Sequence, residues 1–301
     1  MWIFEAIWGG YPDIPALARE VFRVFCGLAL VWKFSWDMRW GGYRYFDHRS
    51  LTRWRYEGLK RHLKLIPSPR AYRVFYVARY VCAWFILLGI WSQYSAVIVA
   101  LWCAFEFTFD RKFHTQYLLL GTLFLALTPG DTCFGLLSTG GWDSCLYSST
   151  YSAPAVLMIF AICVMYIGSV VTKLKSPQFL SGDVLYLTYS HYAHISSQMQ
   201  YRETFYPRPL LKYFVWVDGD RGRRRWRVLS LVALVLEIAT PILLLFTTTW
   251  VIGAILGIIM HGGFWLLFPK RLLPFSLAVV GAYPIFIAPA TMLSLASGLI
   301  G

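Results

Sequence analysis

The sequence predicts an all-α polytopic membrane protein, a bundle of about eight transmembrane helices with short interfacial helices. Composition is the first reason. The 301 residues are 58% hydrophobic and 14% charged, with a mean hydropathy of +0.54, too little polar surface to clothe a water-soluble globule. Spacing is the second. Apolar runs near the ~18 residues a helix needs to cross the hydrocarbon core recur at about 14–36, 74–92, 94–110, 113–129, 152–173, 228–246, 248–268 and 273–298. The third is how positive charge is shared out between those runs.

The first run carries Arg19, Glu20 and Arg23 and lacks a small-residue cleavage site, so it reads as a retained helix and not a signal peptide. The third and fourth runs are short, which suits tilted or re-entrant segments. The fifth ends in Lys173, and beyond it the Tyr-rich stretch 183–197 reads as an interfacial helix. The basic run DGDRGRRRWR, 218–227, is the clearest linker-like break. It divides one membrane domain, 1–301, into five spans plus the interfacial segment (1–217) and three further spans (218–301). No internal repeat, low-complexity tract or soluble domain interrupts it.

Loops 37–73, 111–112, 173–227 and 270–271 hold the Lys and Arg residues that lie between runs, whereas 1–13, 93, 130–151, 247 and 299–301 contain none. Cytoplasmic loops retain positive charge, so alternation puts both termini of a multi-pass protein outside. The net charge of +13 is then a property of the cytoplasmic face and its attraction to anionic lipid. No nucleic-acid motif accompanies it, and nucleic acid is not an expected partner.

Cys26, Cys82, Cys103 and Cys163 fall inside the runs as small apolar residues. Cys133 and Cys145 share the longest external loop, where an oxidising exterior would let them form a disulfide. With no CxxC in the chain, a structural staple is the reading preferred to a redox pair.

Ionisable residues at membrane depth are candidates for function, because each is costly unless paired. Glu106, Asp110 and His114 lie at i, i+4 and i+8, one helical face if the helix continues through 111–112. Glu237 sits mid-run with Pro241 four residues on, whose missing N–H frees a carbonyl beside the carboxylate. Gly262 and Gly263 next to His261 would allow close helix approach. Arg19 and Arg23 would snorkel to headgroups, clamp an anionic headgroup or pair with Glu237. His191 and His194 stand three apart in the interfacial stretch, a poor ligand set, so no metal is expected. Walker, HExxH, GxSxG and dinucleotide-binding motifs are absent.

In order along the chain come His114 to Pro129, a histidine-led Leu-rich run; Gly168 or Ser169 to Lys173-Leu174, followed by Phe179 and Gly182; Glu237-xxx-Pro241; and Gly257-xxx-His261. This order resembles the HTTM (horizontally transferred transmembrane) domain family, related to vitamin K-dependent gamma-carboxylases and to the bacterial membrane protein that matures the sporulation-delaying protein. The likeness spans most of the chain, from about Arg19 onward. It implies Lys173 as a base acting on a reduced, vitamin K-like quinone with His114 in support; Glu237, His261, Arg19 and Arg23, ionisable at membrane depth, are the cofactor-binding candidates. It also implies either a lipid-quinone-linked modifying enzyme or a maturation factor for an exported peptide, working with a soluble partner protein. The alternative from another class is a non-catalytic membrane scaffold or lipid-binding subunit whose polar residues only lock helices together. Convergence of Lys173, His114, Glu237 and His261 on one place would favour the enzyme.

Overall fold

The computed structural model describes residues 13–39, 41–42, 68–109, 113–128, 133, 135–137, 142–151, 153–195, 220–267 and 269–287. Most of loop 37–73, parts of the external loop, the stretch 196–219, both termini and Asp110 lie outside the described residues.

A helix stands at each of the eight apolar runs. They are α1 (Ala16–Arg39), α2 (Pro69–Leu88), α3 (Ser92–Phe109), α4 (Phe113–Leu127), α6 (Ala153–Leu174), α9 (Asp220–Leu245), α10 (Trp250–Leu267) and α11 (Pro269–Ala282), the last continued by a 3₁₀ turn, Tyr283–Phe286. The short helices α5 (Trp142–Tyr147), α7 (Pro177–Leu180) and α8 (Asp183–Ile195) complete an almost wholly helical chain, with α8 on the stretch expected to be interfacial. One departure from all-α is a pair of three-residue strands, β1 (Asp13–Pro15) and β2 (Ser149–Tyr151). They run antiparallel with Ile14 opposite Thr150.

Three helices, Pro69–Leu88, Ala153–Leu174 and Arg221–Leu245, are long and apolar enough to cross a membrane. The others are shorter or carry charge. α1 has 24 residues but includes Arg19, Glu20, Arg23, Lys33, Asp37 and Arg39. The run 218–227, expected as a linker, is helical from Asp220 and forms the first turns of α9. Arginine is a good helix former, and Trp226 anchors these turns by burial.

The burial pattern is consistent with a protein in lipid. Val74, Leu101, Leu157 and Phe160 are about two-thirds exposed, while Arg19, Glu20, Arg23 and Arg79 are at most 2% exposed. Water would reverse that distribution.

The chain divides into two compact units, Met1–Met158 with Leu277–Gly301, and Ile159–Ser276. In the first, α1 packs on α2, α2 on α3 and α3 on α4. Gly27 makes the α1–α2 approach possible, because a Cβ there would lie 2.7 Å from the Leu87 backbone. The C-terminal carbonyls of α2 are all accounted for, as a low-dielectric setting requires. Gly89, in the left-handed region at φ 71°, donates to Ile86, Arg23 Nη1 donates to Ile86 and Leu87, and the Leu136 amide donates to Leu88. Cys133 and Cys145 are disulfide-bonded, as the sequence led us to expect. In the second unit α9 packs on α10, and Gly253 sits so close that a Cβ would meet the Leu244 amide nitrogen at 2.8 Å.

Candidate active site around Lys173 and Glu237

Lys173 occupies the last turn of α6, a helix held by its apolar length and by few polar interruptions. Directly after it, Ser176 caps α7 by accepting from the Phe179 amide, with Pro177 pre-set for the first helical position. Gly182 then turns the chain at φ 84° with its α-carbon packed against the backbone of Trp226 and Arg227, a contact that any side chain would block. Tyr189 of α8 stacks on Trp226 with ring centroids 4.7 Å apart and planes 8° from parallel. The Lys-Leu…Phe…Gly motif therefore has a local physical meaning: it folds the chain back so that Phe179 returns to Lys173.

Lys173 Nζ donates to Glu237 Oε1 of α9. The ammonium also lies 5.3 Å from the ring centroid of Phe179 and 5.7 Å from that of Phe264. The Lys173 side chain keeps 21% of its surface open, whereas Glu237 is closed at 4%. Glu237 Oε2 and Thr240 Oγ1 are buried with no partner among the described residues, and Ser230 Oγ is in the same condition. Residues 230, 237 and 240 share one face of α9. Pro241 lies inside α9 and has no N–H to return to the carbonyl of residue 237. Glu237 thus has a side-chain oxygen without a partner among the described residues and a backbone carbonyl that lacks its usual i+4 donor.

His261 is 2% exposed and lies on the same side of the unit's chemistry. Its Nε2 is 2.8 Å from Tyr166 Oη, its Nδ1 is 3.1 Å from Ser276 Oγ, and Phe275 packs at 5.6 Å between centroids. Phe264, one turn along α10, is 5.7 Å from His261 ring to ring and is also the ring beneath Lys173. Lys173 and His261 therefore meet the same aromatic side chain, and Glu237 joins them through its bond to Lys173. Among the described residues nothing lies within 4 Å of a Cβ at Gly262 or Gly263, so the close approach expected beside His261 is not seen there. The close approach of α10 occurs two turns earlier, at Gly253, where Leu243 and Leu244 of α9 leave room only for hydrogen.

His114 lies in the first turn of α4, and its side chain falls outside the described residues, as does that of His194. The face proposed for Glu106, Asp110 and His114 does not form. α3 ends at Phe109 and a new helix starts at Phe113. Glu106 instead turns inward: Oε1 accepts from Lys33 Nζ at 2.8 Å and Oε2 from Arg79 Nη1 at 3.2 Å. Asp37 Oδ2 lies 3.5 Å from Lys33 and 3.4 Å from Arg79, closing a four-membered network of two cations and two carboxylates. The Arg79 guanidinium is also 3.8 Å from the Tyr76 ring centroid, 4.1 Å from Phe34 and 4.8 Å from Trp102. Lys33 and Arg79 are not among the sequence candidates, although a cation inside an apolar run is the signal that marks them.

Arg19 and Arg23 are also reassigned. Both pair with Glu20, Arg19 Nη1 at 2.7 Å and Arg23 Nε at 2.9 Å, and Arg19 Nε donates to the Thr128 carbonyl at 3.1 Å. Glu237 is already engaged by Lys173, and the two arginines are too deeply buried to reach headgroups. Among the described residues no group of three or more His, Cys, Asp or Glu is placed to hold a metal ion. Comparison with family models, curated proteins and solved structures finds no match to this chain.

Proposed function

We propose that the protein is a membrane enzyme of the HTTM type in which Lys173 is the base and Glu237 its partner, acting on a lipid-soluble substrate at the open edge of Lys173. The observation that carries this reading is the Lys173–Glu237 pair with two aromatic rings near the ammonium, and with Glu237 Oε2 and Thr240 Oγ1 without a partner among the described residues. The pair gives the ammonium proton an acceptor at Glu237 Oε1, so the amine can become a free base without any net charge leaving a low-dielectric site. Phe179 and Phe264 cover part of Nζ with apolar rings and leave its open edge for the substrate.

The orphaned oxygens and flanking rings fit a reduced quinone. Lys173, Glu237 and Thr240 would meet its hydroxyls, and Phe179 and Phe264 its ring. When bound, such a quinone supplies an ionisable hydroxyl. His261, bonded at both ring nitrogens, holds α10 to Tyr166 and Ser276 and thereby fixes Phe264 under Lys173. It is a positioning residue. The exported peptide substrate, its soluble partner protein and the eight-span arrangement in a bacterial inner membrane, with both termini outside, belong to the same proposal and rest on the order of motifs and the charge partition.

Complementation of a deletion strain by Lys173→Ala and Lys173→Arg tests the reading. Both should lose function at unchanged abundance, because alanine has no base and a guanidinium does not deprotonate. A scaffold would tolerate arginine. The two ion-paired networks of the first unit are of that locking kind, and they favour a purely structural role for Arg19, Glu20, Arg23, Lys33, Asp37, Arg79 and Glu106.

A further inference from the structure

Five arginines fall within seven positions at the start of α9: Arg221, Arg223, Arg224, Arg225 and Arg227. Four of them, all but the half-buried Arg225, are exposed. Among the described residues no carboxylate pairs with Arg221, Arg223, Arg224 or Arg227, and the one ring contact is Arg223 at 5.9 Å from Tyr186. The buried Trp226, stacked on Tyr189, and the close seat of Gly182 on the same turn hold this end of the helix in place, so the guanidiniums are mounted on a rigid element.

Directly below the arginines the exposed surface becomes wholly apolar. Val228 is 56% exposed and Val235 61%, followed by Ile238 and Ile242. Arg221, Arg224, Val228, Leu231, Val235, Ile238 and Ile242 succeed one another at steps of three and four residues, so they form a single stripe along one helix face. The stripe runs about 27 Å from Arg224 to Ile242, close to the thickness of the hydrocarbon core. The junction between 227 and 228 is therefore where hydrocarbon gives way to headgroups, and the guanidiniums stand at phosphate depth.

We infer that this stripe is an anionic phospholipid site: Arg221 and Arg224, assisted by Arg227, bind the headgroup phosphate and the apolar stripe takes an acyl chain. Charge complementarity selects the headgroup. Guanidiniums pair with phosphate oxygens in forked geometry, and four cations with no carboxylate partner among the described residues, at the positive end of a helix, are relieved by an anion. The attached chain separates this occupant from a soluble polyanion, which would find no use for the exposed stripe.

A photoreactive benzophenone amino acid placed at Val228 of the full chain, reconstituted in vesicles of equal phosphatidylglycerol and phosphatidylcholine, reads the site directly by mass spectrometry of lipid adducts. About fivefold enrichment of phosphatidylglycerol is expected at Val228, from a gain of about 1 kcal/mol. Near-equal adducts are expected at Phe160, which is 65% exposed on α6 with no arginine above it. The enrichment should fall to near unity in R221Q/R224Q and should weaken as salt rises, a measurement that needs no arginine variant. Equal adducts at Val228, enrichment that survives R221Q/R224Q, or insensitivity to salt would overturn the assignment. None of these results bears on Lys173.

Discussion

Arg79 shows how a cation survives at depth in this protein. Its guanidinium is 2% exposed, bonded to Glu106 and Asp37, and laid over Tyr76, Phe34 and Trp102. Removing one member of such a network leaves a buried charge uncompensated, whereas removing opposite charges together does not. Glu106→Gln should therefore destabilise the protein by about 3–5 kcal/mol, and Lys33→Met/Glu106→Gln by less than the sum of the two single changes. Arg79→Lys should also destabilise, since an ammonium cannot stack as a planar fork on three rings. Thermal unfolding in detergent checks all three, and additivity in the double variant would contradict the network.

Elements, in contrast to partners, were largely legible in the sequence. A helix falls within each apolar run because length and hydropathy are local properties, and the Tyr-rich stretch became α8 for the same reason, yet only three helices are long and apolar enough to cross a membrane, fewer than the eight expected. The linker expected at 218–227 failed because the stacking of Trp226 on Tyr189 is a long-range contact that the charge run conceals. The pairing of Arg19 and Arg23 was missed because Glu20 was treated as one more charge in the helix, not as the partner of both. Glu106 was recognised as unusual, yet Lys33 and Arg79 come from helices 73 and 27 residues away in sequence, and no spacing rule reveals that.

Two changes test elements. Gly27→Leu should part α1 from α2 and destabilise by about 1–3 kcal/mol, because its side chain has only the Leu87 backbone to enter. An unchanged melting temperature would contradict the close approach. The loop closed by Cys133 and Cys145 should appear oxidised by intact mass after alkylation without reductant, and Cys133→Ser/Cys145→Ser should lower stability by about 3 kcal/mol. Two alkylated cysteines in the unreduced protein would refute the bond.

At a larger scale, the first unit buries Arg19, Glu20, Arg23 and Arg79 while apolar side chains such as Val74 and Leu101 stay exposed, a pattern consistent with a lipid solvent. In a background lacking the four free cysteines, an introduced Arg223→Cys should be labelled from the cytoplasmic side and Leu136→Cys from outside, since both positions are exposed and the charge partition separates them. Labelling of both from one side would sink the eight-span proposal.

The central claim is that Lys173 and Glu237 form a working pair and not an anchor, and paired stability and function measurements on Lys173→Arg, Lys173→Met, Glu237→Gln and the Lys173→Met/Glu237→Gln double variant test it most directly. The single neutralisations should each cost about 1–3 kcal/mol, discounted for the partial exposure of Lys173, and the double variant should recover most of that stability. Function should stay lost in every one of the four, including a stably folded Lys173→Arg. A Lys173→Arg protein that folds and complements fully would show that the position requires only positive charge, and would contradict the account.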